Sequence, residues 1–545
     1  MRSLSGRPDV EPEPSHDGRR NPNVAALLGE RAASLGSRLA IVDDTRGRVR
    51  RLTFAELEQA VGDFAATLRA HGLGPGDRVL VFVPMSAELY VVLLGVLHVG
   101  AAAVFVDAWA DRRRLNLAVE TAAPQAFVGS RKGQLLRLLS PAIRRLPHHL
   151  VAAGLTGGGR RSPVPSRDGP VQVAEDAPAL VTLTTGSTGR PRAAARSHGF
   201  LWAQHRALAG LMRPRPDDVD LTTLPIFVLN NLALGVTSVL PRVDPRRPVG
   251  FDPAAVYRQI RAEGVTTLGG SPAFCERLAL WATGKGLRLP LRALFTGGAA
   301  VTPTLARLLV RGVSGEATVV YGSTEAEPIA GIPMPELLER SDALGTGAGV
   351  CAGKPAPEID VRLIRAFEGP VRLGDDGWLP WEVAPGEVGE VVVAGEHVHT
   401  GYLNDPEADE RSKIHDDARI WHRTGDAARQ DPQGRLWLQG RVAERLCVGD
   451  QTYWTLPVEL GALSVDGIRH AAYVAMPGAP GQPARGVLCV ELHGRRLTAQ
   501  TRTELIAAAH GAPISDIVAL RRIPRDPRHA SKTDTIRLRM LLRKP

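Results

Sequence analysis

The sequence predicts an α/β protein of at least two domains, and three observations predict it. The chain has 545 residues, whereas a single hydrophobic core stops growing at roughly 250–300 residues. Apolar residues at helical spacing alternate with short β-branched runs, the pattern of a doubly wound, mostly parallel sheet. That pattern then changes twice, to short strands and Gly turns over residues 361–438 and back to a small α/β unit after Gly440-Arg441.

The elements follow in order. The first 22 residues lack the apolar stretch of a signal peptide and read as a disordered arm. Thr53, with Glu56 three residues on, opens the helical run LTFAELEQAVGDFAATLRAHG as a capping box. GPGDRVLVFVP reads as a turn and a strand, followed by a helix to His98 and the strand AAAVFVD. The apolar run 89–106 approaches the roughly 20 residues of a membrane span. It contains His98 and Gly100, however, and reads as a buried helix followed by a buried strand, so no transmembrane segment is expected. Residues 154–169, rich in Gly, Arg and Ser, read as a surface loop, and a second α/β run spans 180–320. The expected units are an arm (1–22), a large domain (23–440) and a small domain (441–545).

The formal net charge is +10 with a pI near 9.9. Six lysines stand against sixty-one arginines. The charge is spread along the chain, is locally denser after Arg521, and accompanies no nucleic-acid-binding motif, so it reads as compositional bias. Cys275, Cys351, Cys447 and Cys489 form no CxxC pair, which indicates neither a zinc site nor a disulfide framework and suits a reducing cytoplasm.

The sharpest chemistry lies at Thr184-Thr185-Gly186-Ser187-Thr188-Gly189-Arg190-Pro191-Arg192, after the strand-like LVTL. Glycines let a backbone curl around an anion, the hydroxyls can donate to phosphate oxygens, and Arg192 adds a cation. Alone, such a segment is also an ordinary polar turn. It resembles the phosphate loop of the adenylate-forming superfamily, which contains acyl-CoA synthetases, nonribosomal-peptide adenylation domains and firefly luciferase. Arg192 stands where that loop usually carries lysine, and Ala193 where it carries glycine. Further blocks follow in the family's order. Gly297-Gly298-Ala299 resembles the adenine-contacting turn. Tyr321-Gly322-Ser323-Thr324-Glu325 resembles the block whose tyrosine stacks on adenine, whose threonine approaches the α-phosphate and whose glutamate holds Mg²⁺. By itself YGSTE is also an ordinary turn before a helix. Thr424-Gly425-Asp426 resembles the ribose-binding block, and Gly440-Arg441 the end of the large domain, where arginine also approaches the ribose. Lys532 matches the lysine that reaches the substrate carboxylate and α-phosphate, with Ser531 in place of the usual preceding glycine.

The resemblance covers residues 23–542 and implies more than the pattern alone. It implies a β-barrel-like part in the large domain, and a small mobile α+β C-terminal domain that closes over the site. It implies ATP and Mg²⁺ as cofactors, a carboxylic acid as substrate, and CoA or a carrier-protein thiol as acceptor. An acyl carrier protein or pathway enzymes are the implied partners, without nucleic acid. The usual hinge residue is replaced by Val442-Ala443. Residues 224–235, LPIFVLNNLALG, occupy the place of a substrate-lining block; their apolar character suits an alkyl chain, and equally a core strand and helix start.

Gly349-Val350-Cys351-Ala352-Gly353-Lys354-Pro355-Ala356-Pro357, Arg441-Val442-Ala443-Glu444-Arg445, Tyr453-Trp454-Thr455 and Arg528-His529-Ala530-Ser531-Lys532 resemble a narrower family, the olefin-pathway β-lactone synthetases. These adenylate a 2-alkyl-3-hydroxy fatty acid, whose 3-hydroxyl then displaces AMP. Three readings therefore stand: acyl activation followed by transfer to a thiol, acyl activation followed by lactone closure, and a degenerate non-catalytic adenylate-binding protein.

Overall fold

The computed structural model describes residues 21–45, 47–106, 112–156, 168–185, 191–244, 247, 249–417, 419–478, 483–494, 496–526 and 531–543. Residues 1–20 of the expected arm, and the centre of the expected 154–169 loop, lie outside them; the arm's last two residues are instead packed, Asn21 donating to the Pro170 carbonyl (2.9 Å) and the Pro22 carbonyl accepting the Trp202 indole (3.0 Å). Two sheets build the large domain. The first has six strands in the order His148–Val151, Ala126–Gly129, Arg78–Phe82, Ala102–Phe105, Pro178–Thr185, Pro191–Ser197. Neighbours in it run parallel until the last strand, which turns back antiparallel.

The second sheet has fourteen strands. Its parallel half comprises Glu316–Ser323, Ala293–Gly297, Thr267–Gly270, Val219–Thr222, Thr237–Leu240 and Leu39–Asp43. From Glu316–Ser323 the sheet continues antiparallel through Ala326–Pro333, Val350–Pro355, Leu436–Arg441, Arg419–Gln430, Gly389–Ala394 and Asp360–Ile364. The β-rich region is thus joined by hydrogen bonds to the parallel sheet.

Local chemistry explains the helices that position the cleft. The Thr53–Glu56 capping box forms as the sequence predicts, and starts Phe54–Ala70. Every residue of Ala87–His98 is buried, so this helix is a core element between layers. Residues 225–234 form a single helix rather than a strand and helix start. Pro225 supplies a preset φ at the first turn, and Gly235, at φ +72°, supplies the left-handed terminus.

The chain leaves the large domain after Leu436–Arg441 through a short turn, Val442–Glu444. The small domain carries the three-stranded sheet Ile468–Met476, Arg485–Leu492, Asp516–Ala519, with helices Thr455–Ser464, Ala499–Ala507 and Thr535–Leu542. It docks on the large domain by named polar contacts. The Ala273 amide donates to Ser531 Oγ (3.3 Å), and Thr346 Oγ1 pairs with His510 Nε2 (2.8 Å). Among the described residues, no helix is long and apolar enough to cross a membrane.

Candidate active site

The carboxyl ends of Ala293–Gly297 and Glu316–Ser323 open into a cleft of about 3300 Å³ that the small domain covers. Crevices at the carboxyl ends of parallel strands are the usual ligand positions of open α/β sheets. Gly297 ends its strand so close to the next that a Cβ there would lie 2.2 Å from the Val320 carbonyl oxygen. Gly298 follows at φ +84°, a conformation that favours glycine. Both, with Ala299, line the cleft.

Tyr321-Gly322-Ser323 closes the adjoining strand, and the pairing of Ser323 with Ala326 leaves Thr324 and Glu325 at the tip of an antiparallel hairpin. The turn therefore precedes a strand, not a helix. The Ser323 hydroxyl accepts the Glu325 amide (3.2 Å), and the His399 amide donates to the Glu325 carbonyl (2.7 Å), which fixes the tip. Facing it, Asp426 and Arg441 are direct partners across the strand pair 419–430/436–441. Arg441 Nη1 donates to Asp426 Oδ1 (2.7 Å), and the Tyr321 hydroxyl donates to Asp426 Oδ2 (2.9 Å). Burial and the adjacent Asp426 carboxylate push the Tyr321 phenol well above its usual range, so it stays a donor.

Lys532 reaches the cleft on a short segment pinned to its neighbour. Its amide donates to Asp526 Oδ1, and the Asp526 amide donates to its carbonyl, both at 2.9 Å. The cleft thus brings together Arg192, Gly297, Gly298, Ala299, Tyr321, Gly322, Thr324, Glu325, Asp426, Arg441 and Lys532. Thr184 and Thr185 end the strand Pro178–Thr185, paired with Arg192 and Pro191. Gly186, Ser187, Thr188 and Gly189, the body of the expected phosphate loop, lie outside the described residues.

Residues that sequence reasoning missed stand behind Glu325. The Tyr402 hydroxyl donates to Glu325 Oε1 (3.1 Å). Two basic side chains lie near the Tyr402 ring: Arg192, 5.6 Å from its centroid, and Lys413 Nζ, 5.4 Å from it. Lys413 is only 2% exposed. It donates to the His399 carbonyl and approaches Nδ1 of His399 (3.3 Å) and of His422 (3.1 Å). Burial pushes the Lys413 ammonium down to about 7, against the pull of Glu325 and Asp409. Burial, then Lys413 itself, holds both imidazoles well below their ordinary range. The only signal in the sequence was that Lys413 is one of six lysines.

The apolar wall comes from two helices: Leu89 and Leu93 on Ala87–His98, and Ile226, Phe227 and Leu229 on Pro225–Leu234. The Tyr90 hydroxyl ties the two by donating to the Pro225 carbonyl (3.3 Å).

Residues 28–403 match the family model described as AMP-binding enzyme. The chain belongs to that family. It is an adenylate-forming ligase. It is 33% identical over 492 residues to an olefin beta-lactone synthetase of Stenotrophomonas maltophilia, covering 87% of this chain and 86% of the relative. It is 33% identical over 510 residues to another from Xanthomonas campestris pv. campestris, covering 88% and 89%. A feruloyl-CoA synthase from Amycolatopsis sp is 29% identical over 443 residues, covering 78% and 81%. Among solved structures, ATP-bound MatB from Rhodopseudomonas palustris superposes with a TM-score of 0.79 at 20% identity, covering 96% of this chain and 99% of that one. That likeness bears on the fold of this ligase: a large domain of sheets and a small C-terminal domain.

Proposed function

We propose that this ligase activates a 2-alkyl-3-hydroxy acid as its acyl-AMP and then closes a β-lactone. The observation that carries the reading is the similarity to two olefin beta-lactone synthetases over nearly their full length. It favours the substrate's own hydroxyl over a CoA or carrier thiol as acceptor. The apolar wall formed by Leu89, Leu93, Ile226, Phe227 and Leu229 suits alkyl chains.

In the first step a carboxylate oxygen attacks the ATP α-phosphorus, and the bond to pyrophosphate breaks. This is mostly positioning and electrostatics. Gly297, Gly298 and Ala299 leave room for adenine beside Tyr321, and Asp426 with Arg441 takes the ribose hydroxyls. The loop 184–189 with Arg192 takes the phosphates, and Thr324 meets the α-phosphate. Lys532 supplies positive charge where the transition state gathers negative charge. The residues fit a divalent cation: a hard ion needs oxygen donors, and Glu325 is held at the cleft wall by Tyr402. Mg²⁺, when bound, neutralises charge on the departing pyrophosphate. In the second step the 3-hydroxyl oxygen attacks the acyl carbon, its proton passes to solvent, and the bond to AMP breaks.

The test is incubation with ATP, Mg²⁺ and a panel of fatty and 3-hydroxy fatty acids, with and without CoA, read by mass spectrometry. A product lighter by one water, formed with AMP and without CoA, supports lactone closure. An acyl-CoA that forms only with CoA would overturn it in favour of thioester formation. Absence of any acyl-AMP with every acid would favour a non-catalytic adenylate binder.

A further inference from the structure

The first sheet carries an unusual surface at the rim of the cleft. Between residues 121 and 167 the chain has eight Arg or Lys and no Asp or Glu. Within this stretch lie the single turn Gly133–Leu135 and the short helices Leu136–Leu139 and Pro141–Arg144. Leu135, Leu138 and Leu139 are 58%, 76% and 59% exposed. Arg131, Lys132, Arg137, Arg144 and Arg145, in the same segment, are exposed as well. The nearest acid along the chain is Glu120, on the adjoining helix Arg112–Ala122.

This face is built, not frayed. Gln134 Nε2 donates to the Leu150 carbonyl (2.6 Å), Ser140 Oγ donates to Asn116 Oδ1 (2.6 Å), and Ile143 is fully buried beneath. The same segment opens inward, because Leu135, Leu136 and Leu139 line the cleft with Phe82, Met85 and Val106. Leu138, the exposed parts of Leu135 and Leu139, and the five exposed cations of the same segment make an amphipathic surface, continuous with the apolar side of the cleft.

We propose that residues 131–145 form a docking face for an anionic lipid surface. Exposed leucines gain by entering the acyl boundary, and each neighbouring cation is drawn to anionic headgroups. A second copy of this chain is a poor occupant, since a twofold contact would oppose five cations with five cations. The proposal does not depend on which group accepts the acyl unit, and its deciding readout is vesicle binding, with turnover only as a control for folding.

The 545-residue chain is sedimented with vesicles of phosphatidylcholine alone, or of phosphatidylcholine and phosphatidylglycerol in equal parts, at low and high salt. Wild-type protein binds the anionic vesicles at least tenfold more tightly, and salt weakens that binding. Leu138→Ser, and separately Arg137→Glu with Arg144→Glu, each reduce it at least tenfold. The charge variant also loses the salt dependence. Neither variant alters ATP–pyrophosphate exchange with a water-soluble acid, which shows that both are folded. No binding to anionic vesicles overturns the proposal, as does binding that both variants leave intact. Self-association of the wild type that Leu138→Ser dissolves also overturns it, and assigns the face to a second copy. Salt-sensitive capture by an acidic protein without vesicle binding overturns it in favour of a protein partner.

Discussion

Lys532 is exposed and its side chain enters the cleft, so removing it costs little packing and deletes one cation. Lys532→Ala should lower acyl-AMP formation about 10²–10³-fold, the range for losing one preorganised transition-state donor. ATP affinity, measured by equilibrium binding, should change little; an unchanged rate would remove Lys532 from the chemistry. Lys413 behaves in the opposite way, because it is buried. In an unfolded chain its ammonium titrates near 10.5, and in the fold near 7. Between these values the unfolded state holds more protons, so stability rises with pH over that window and the cost of burial is greatest at or below about pH 7. Lys413→Met should flatten this rise by an amount on the order of a few kcal/mol, as read from urea midpoints at pH 7 and pH 10. Equal slopes in the two proteins would show that the lysine is not buried. That Tyr321, Glu325, Asp426, Arg441 and Lys532 share one cleft was legible because each sits in a short run of fixed type. Tyr402, Lys413, His399 and His422 were not, because strand pairing and a return loop bring them together from separate stretches.

At the scale of elements, the proposed adenine position rests on how closely one strand ends against the next. The Cβ that Gly297→Ala adds would meet a backbone oxygen of the neighbouring strand at 2.2 Å. Backbone cannot swing away as a side chain can, so the two strands must part at their carboxyl ends. Gly297→Ala should lower the melting temperature and raise KM for ATP together, whereas Gly284→Ala, in open space at a helix end, should do neither. Calorimetry and an exchange assay test this, and an unperturbed Gly297→Ala enzyme would contradict the strand spacing. The same scale shows where periodicity misleads. Residues 224–235 are so uniformly apolar that strand and helix patterns both fit. Pro225 and Gly235 were the better guides, since they mark a helix's first turn and its end. The capping box at Thr53 was legible for the converse reason: its chemistry is local.

For the whole molecule, ligand binding and folding are one equilibrium. ATP at a hundred times its Kd should stabilise the native state by about 2.7 kcal/mol, a rise in melting temperature of about 2 °C for a chain of this length. Asp426→Asn weakens a carboxylate that Tyr321 and Arg441 both address, and should shrink that rise at the same ATP concentration. An unchanged rise would show that Asp426 does not contact the nucleotide. The two-domain plan was legible from chain length and from the change of pattern near Gly440. The continuity of the fourteen-stranded sheet was not, because pairing Glu316–Ser323 with Ala326–Pro333 joins regions whose local patterns differ.

The passage between the domains bears on how such ligases could be recombined. Arg441 belongs to its large-domain partner Asp426, whereas Glu444, only three positions later, accepts the Thr535 hydroxyl at 2.9 Å. Gly440 at φ +130° lies so close to Thr455 that a Cβ there would stand 2.4 Å from Oγ1. A splice that imports a foreign small domain therefore has a window of two residues, Val442 and Ala443, in which to cut. A junction placed upstream takes Arg441 from the Asp426 carboxylate and leaves it Tyr321 alone. One placed downstream leaves the borrowed unit without its first anchor, and in either case residue 455 of the donor must be matched to the glycine it will face.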